Sequence, residues 1–325
     1  MDIGMKAARF AILAAVLLLL PAVAARADLD GAINDYYAAN YDAAAQEFQR
    51  LADAGDSEAQ LWLGYLYTTG EGVAQNYGEA QSWYERSVDN GNAKALSFIG
   101  DLYYYGHGPE KDLVAAARYY RRGANLGDAD GLYNLGLAHE SGEGVPKDLD
   151  KAAGLYRIAS ERQGEQQGSS RAQTRLGYLY ERGIGVPQDY AQAQYWYRQA
   201  ADQSETEAEA SLAWLLLQGQ GGPKDYDEAL RLFRLAAEKG SASAQNGMGY
   251  AYELGYGVAQ DYLAAADWYR QAAERDFAIA QYNLALLYEN GRGVPQDLDE
   301  ARRWYQRAAD LGDTDSKAAL DRLGQ

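Results

Sequence analysis

A period of 36 residues runs through nearly the whole sequence. A glycine or alanine, usually set in a pattern such as Leu-Gly-x-x-Tyr, returns seven times at spacings of 36, 36, 41, 36, 36 and 36 residues. These anchor positions are Gly64, Gly100, Gly136, Gly177, Ala213, Gly249 and Ala285. A fixed period in this range is typical of stacked supersecondary units, none of which can bury its apolar face alone. The length of 325 residues would otherwise suggest two domains, but the period predicts a single array.

Each repeat is predicted to be a helix, a tight turn and a second helix. A Gly-x-Gly begins six residues after every anchor, as in Gly183-Ile184-Gly185, and glycine suits the left-handed conformation that ends a helix. An Asp or Asn follows and can cap the second helix, and Glu79, Glu228 and Glu300 are placed to complete capping boxes. No segment alternates with a period of two. The predicted class is therefore all-α.

The second helix carries one apolar face. An alanine, two large and mostly aromatic residues, and a small residue recur at positions i, i+3, i+4 and i+7. The second of the two large residues is Tyr84, Tyr120, Tyr156, Tyr197, Phe233, Tyr269 and Tyr305 in successive repeats. We interpret these rings as core and not as a cofactor site.

These residues resemble a known family. The pattern A-x3-L-G-x2-Y-x2-G-x-G-V-x2-D-x3-A-x2-W-Y-x2-A-A is similar to the Sel1-like repeat, a relative of the tetratricopeptide repeat. The resemblance implies a right-handed superhelical α-solenoid, with seven repeats over residues 57–313. Residues 28–56 resemble a tetratricopeptide-type N-terminal cap, and residues 314–325 are expected to close the C-terminal end. The five extra residues within 161–170 fit a tolerated surface loop, a hinge or a partner contact.

Residues 1–27 are interpreted as an export signal. Lys6 and Arg9 precede an apolar run, and Ala25-Arg26-Ala27 forms an A-x-A cleavage site. The chain has no cysteine, so neither disulfides nor a lipid-attachment cysteine are expected. The expected location is the periplasm or the cell exterior, with no membrane insertion after cleavage.

Charge and residue types exclude several functions. The formal charge is −17, and removing the signal segment with its net charge of +2 leaves −19, which disfavours nucleic acids and anionic membranes. His139 occupies a column otherwise filled mainly by tyrosine, and His107 is the middle residue of a Gly-x-Gly turn. Neither has partners spaced for metal binding or catalysis, so no catalytic, metal or cofactor residues are predicted.

A binding surface is predicted on the first helices. Positions −3, +1 and +4 from the anchor lie opposite the core side, and in tetratricopeptide-like stacks this face lines the concave groove. We call it the first-helix face. Its predicted binding residues are Tyr65, Tyr104, Tyr133, Tyr178, Trp214, Tyr250 and Tyr282, with Glu140, Glu181, Glu253 and Glu289. Tyr and Trp often anchor interfaces, although neighbouring second helices could instead shield these rings.

The predicted function is a non-enzymatic, exported scaffold that binds a protein or peptide of basic character. The resemblance implies adaptor roles, and exported members of the family include regulators of envelope signalling. The alternatives are binding or hydrolysis of β-lactams, as associated with cysteine-rich relatives, and recognition of cell-wall glycan by the tyrosines.

Overall fold

The computed structural model describes residues 28–161 and 168–324. The predicted signal segment and most of the predicted insertion lie outside these residues. Within them every regular element is a helix, as the periodicity predicted. None of these helices combines the length and apolarity that crossing a bilayer requires.

The helices follow one another in antiparallel pairs. The N-terminal pair is α1 (residues 28–37) and α2 (Tyr41–Asp53). The seven repeats are then formed by α3 (Ser57–Thr69) and α4 (Tyr77–Asp89), α5 (Ala95–Tyr105) and α6 (Leu113–Asn125), α7 (Ala129–Ser141) and α8 (Leu149–Ser160), α9 (Ser170–Arg182) and α10 (Tyr190–Ala201), α11 (Thr206–Gln218) and α12 (Tyr226–Glu238), α13 (Ala242–Leu254) and α14 (Tyr262–Ala273), and α15 (Ala278–Asn290) and α16 (Leu298–Asp310). Helix α17 (Thr314–Leu323) follows the last pair.

Both glycines of the turn are required by the backbone. In the third repeat Gly142 ends α7 at φ 85°, and Gly144 follows at φ 71°. A Cβ atom on Gly144 would overlap the carbonyl group of Leu113, at the start of the preceding repeat's second helix. The turn therefore reverses the chain and also packs closely on its neighbour.

The predicted helix caps are present, but the capping boxes are not. Side chains such as Asn76 and Asp225 accept hydrogen bonds from the first free amides of the second helices. The capping-box prediction was wrong because the backbone N–H of the cap residue donates to a first-helix carbonyl, for example from Asp225 to Leu216. Glu228 instead accepts hydrogen bonds from Arg231 at 2.8 Å.

The helices divide into two compact units between Ala159 and Ser160. On the second helices the alanine and the small residue are buried in both units, whereas the first large residue is only partly buried in four repeats, as Tyr119, Leu155, Trp196 and Trp268, so the core prediction holds only in part at that position. The ring of the second large residue is at most 4% exposed in all seven repeats. That ring packs against the anchor. A Cβ on Gly249 would lie 2.6 Å from the ring of Tyr269, so a small residue is needed there.

Candidate functional site

The first helices of neighbouring repeats contact one another directly within each unit, α5 with α7 in unit 1 and α11 with α13 in unit 2. Their outward positions therefore form one surface per unit. All seven aromatic residues predicted on the first-helix face are partly buried, neither sealed in the core nor fully exposed. The four glutamates have the same intermediate exposure.

The −3 positions do not belong to this surface in most repeats. Five of the seven are buried, at 3–7% exposure, against the neighbouring repeat. They are Leu61, Ser97, Thr174, Ala210 and Asn246. The expectation that the −3 column faces outward was therefore wrong for these five residues, because neighbouring first helices pack along it. The first-helix face consists of the +1 and +4 positions, with the two larger −3 residues Tyr133 and Tyr282 at its edge.

In unit 1 the predicted aromatic residues make three different contacts. Tyr65 lies edge-on to Phe98 of the next repeat, with ring centroids 6.4 Å apart. Tyr104 donates its hydroxyl to Glu143 at 3.0 Å, and this carboxylate raises the pKa of Tyr104. The ring of Tyr133 lies 5.6 Å from the buried tyrosine of its own repeat.

In unit 2 the aromatic residues form a closer group. The Trp214 ring lies 5.7 Å from the Tyr250 ring, and its indole N–H donates to Ser243 Oγ at 3.2 Å. The Tyr250 ring also lies 5.9 Å from the Tyr256 ring. The ring of Tyr282 lies 5.6 Å from the buried tyrosine of its own repeat.

The four glutamates each hold a buried tyrosine. The hydroxyl of the second-helix tyrosine reaches between the first helices and donates to the +4 carboxylate of the same repeat, over 2.7–2.9 Å. The pairs are Tyr156–Glu140, Tyr197–Glu181, Tyr269–Glu253 and Tyr305–Glu289. Burial, together with the adjacent carboxylate, raises the pKa of Tyr269 far above its ordinary value. These glutamates are thus structural acceptors as well as surface charges.

In the other three repeats the +4 residue is not a glutamate, and the hydroxyl of the buried ring is either hydrogen-bonded to another side chain or absent. In the first repeat the acceptor position holds Thr68, whose Oγ1 lies 3.0 Å from the Tyr84 hydroxyl. In the second repeat Asp101 takes over as acceptor, at 2.7 Å from Tyr120. In the fifth repeat the ring is Phe233, which has no hydroxyl, and the +4 residue is Leu217. The acceptor side chain is lost together with the hydroxyl it would serve.

Arginines contact two of the glutamates in unit 2. Arg322 of α17 donates to both carboxylate oxygens of Glu289, with Nη2 2.9 Å from Oε2, and this contact lowers the pKa of Glu289. Arg182 Nε lies 3.7 Å from Glu181 Oε1. Glu253 forms no ion pair within the described part of unit 2. These arginines were not predicted from the sequence, although Arg322 holds the +1 position that follows the seventh repeat.

The two histidines have structural contacts. His139 is 4% exposed, with Nδ1 3.0 Å from the carbonyl oxygen of Pro146. His107 is exposed and stacks on Tyr77 with ring centroids 4.8 Å apart. Across residues 28–161 and 168–324, no group of three His, Cys, Asp or Glu residues is placed to hold a metal ion.

The Sel1 repeat family matches this chain in seven consecutive segments. They are residues 57–92, 93–128, 129–163, 170–205, 206–241, 242–277 and 278–313. No protein among those of curated function matches the sequence.

Two solved structures are similar over 92% of this chain. One is c5321, a protective antigen of uropathogenic Escherichia coli with an SLR fold, at 33% identity and a TM-score of 0.72. The other is a Sel1 repeat protein from Oxalobacter formigenes, at 30% identity and a TM-score of 0.62, of which 89% is covered. This chain spans only 64% of the length of the antigen.

Proposed function

The chain belongs to the Sel1 repeat family, whose α-solenoids are generally non-catalytic protein-interaction scaffolds, and on this premise we propose that it binds a protein or peptide of basic character through its first-helix face. We also propose that residues 1–27 direct its export to the periplasm, and that it acts there as a regulator of envelope signalling. The binding face and the export are separate parts of the proposal, each with its own test.

One observation carries the proposed binding of basic groups. Glu289, a member of the first-helix face, already holds the guanidinium of Arg322 while it accepts the hydroxyl of Tyr305. The same glutamate–tyrosine pair recurs in the third, fourth and sixth repeats. Since identical acceptors present the same carboxylate chemistry, the face is suited to cationic side chains.

The binding face is tested by photo-crosslinking in the native cell. A photoreactive phenylalanine at Tyr250 is expected to capture a partner. The same group at Tyr195, which is 52% exposed on a second helix, serves as the matched control. With the photoreactive group kept at position 250, the variant Trp214→Ala should lose the crosslinked partner while its circular dichroism stays helical. Equal capture from positions 250 and 195, or undiminished capture by Trp214→Ala, would contradict the proposed face.

Export is tested by fractionation and mass spectrometry. The expected result is release by osmotic shock of a protein whose first residue is Asp28. Recovery of the intact chain with a cytoplasmic marker would refute the export while leaving the binding face untouched.

A further inference from the structure

We propose that Glu253, Tyr250 and Trp214 form a subsite for one arginine side chain of the protein partner. This inference rests on the proposed function, because it identifies a contact within the first-helix face. The subsite lies entirely within unit 2, where three glutamates occupy equivalent positions.

Two of these glutamates show that a guanidinium fits the position. Glu289 is contacted by Arg322 through both of its oxygens. Glu181 has Arg182 at 3.7 Å, and the guanidinium of that arginine lies 5.9 Å from the centre of the Tyr178 ring. In both cases the arginine belongs to this chain, so the structure shows how a guanidinium contacts these glutamates before any partner binds.

The sixth repeat has the same glutamate but lacks those arginines. Arg322 follows Glu289 by 33 residues, and the residue 33 positions after Glu253 is Leu286. Arg182 directly follows Glu181, and the residue directly after Glu253 is Leu254. Glu253 therefore has no ion-pair partner within the described residues of unit 2.

The Tyr269 hydroxyl holds Glu253 in place. It donates to Oε2 at 2.7 Å, which fixes the carboxylate, whereas Oε1 accepts no hydrogen bond from the described residues. A carboxylate that is already oriented loses little freedom when a cation binds. The free oxygen therefore gives the subsite a prepared acceptor.

The aromatic part of the subsite begins one helical turn before this glutamate. Tyr250 precedes Glu253 by three residues on α13, and the ring of Trp214 lies 5.7 Å from the Tyr250 ring. Lys224 lies nearby without pairing with Glu253. Its Nζ is over the Tyr226 and Tyr256 rings at 5.9 and 5.8 Å. Burial raises the pKa of Tyr250, and the charge of Lys224 opposes this rise. Arginine is favoured over lysine because its flat guanidinium can stack on a ring while it donates to a carboxylate.

The test uses three blocked tripeptides, acetyl-Gly-X-Gly-amide, in which X is arginine, lysine or the uncharged arginine analogue citrulline. Labelling the six tryptophans with ¹⁵N gives six indole signals, and Trp214→Phe identifies the signal of Trp214. The arginine peptide is expected to shift this signal saturably. The lysine peptide should bind at least about fivefold more weakly, because its ammonium is not planar and cannot stack on a ring while it donates two parallel hydrogen bonds to a carboxylate. The citrulline peptide should produce no saturable shift.

Three variants decide the proposal. Glu253→Gln should weaken binding of the arginine peptide by about tenfold or more, since it removes the charge and keeps the shape. Leu286→Arg should weaken binding as well while leaving Glu253 itself unchanged in the sequence, because it supplies the internal arginine that the seventh repeat already has. Arg322→Gln, which removes the internal ion pair of Glu289 only, should leave the shift of the Trp214 signal with the arginine peptide unchanged.

Wild-type affinity in Glu253→Gln, or equal shifts from the arginine and citrulline peptides, would overturn the subsite. A partner still crosslinked at position 250 would then preserve the proposed function, so the two failures can be told apart.

Discussion

The fifth and sixth repeats are neighbours in unit 2 and solve the same packing problem in opposite ways. In the sixth, the fully buried ring is Tyr269 and its hydroxyl is held by Glu253. In the fifth, the ring is Phe233 and the equivalent first-helix residue is Leu217, which is 2% exposed. A buried hydroxyl thus comes with a carboxylate at the surface, and an apolar ring comes with an apolar neighbour.

This difference distinguishes two roles of a glutamate on the first-helix face. A glutamate there is first required by the tyrosine beneath it, because an unpaired buried hydroxyl is destabilising. Its charge and its second oxygen then become available to a partner. Acidity of the surface is therefore linked to the chemistry of the core, repeat by repeat.

The largest effect is expected when the sixth repeat loses only its acceptor. Glu253→Leu leaves the Tyr269 hydroxyl buried without a partner, which should cost about 1–3 kcal/mol of the free energy of unfolding. Urea unfolding followed by circular dichroism measures the loss. The double variant Glu253→Leu, Tyr269→Phe reproduces the pair of the fifth repeat and should recover most of it. A double variant no more stable than Glu253→Leu would show that the missing acceptor is not the cause of the loss, and that the two repeats do not follow the same rule.

The reverse change in the fifth repeat should have a smaller effect. Phe233→Tyr places a hydroxyl against Leu217, at a cost of about 1 kcal/mol, because it buries a new polar group without breaking an existing hydrogen bond. Adding Leu217→Glu should restore the stability of the wild type. Thermal unfolding of the three proteins measures both steps. If Leu217→Glu destabilises Phe233→Tyr further, the two repeats do not follow one rule.

Much of the fold could be predicted because its determinants are local and repeated. The spacing of the anchors, the paired turn glycines and the cap residues such as Asp225 predict helix pairs without any long-range information. The capping boxes failed because the competing acceptor, a carbonyl such as that of Leu216, becomes available only when the first helix has folded. Sequence spacing alone does not show which of the two acceptors is used.

The candidate site could be predicted only in part. Helical geometry was sufficient to select the +1 and +4 positions, but it placed the −3 residues outward because it ignores the neighbouring first helix. The tyrosine–glutamate pairs were also missed, although Tyr269 follows Glu253 by 16 residues, as in three other repeats. The joint replacement at Phe233 and Leu217 is the signal in the sequence that indicates this pairing.

The smallest effect is expected at Arg322, where the seventh repeat differs from the sixth by carrying its own cation. Arg322, and then the Tyr305 hydroxyl, hold the pKa of Glu289 below its ordinary value in the folded protein. A lowered folded-state pKa gives stability that is present above the unfolded-state value of about 4.3 and is lost as the pH falls through the folded-state value.

Arg322→Gln should therefore lower the melting temperature slightly at neutral pH and have no effect in strong acid, where wild type and variant both carry a protonated Glu289. The difference is small because the exposed guanidinium is screened by water. Melting curves from neutral pH down to about pH 2 measure it, and a difference that persists unchanged in acid would show that Arg322 stabilises α17 by packing and not by its charge on Glu289.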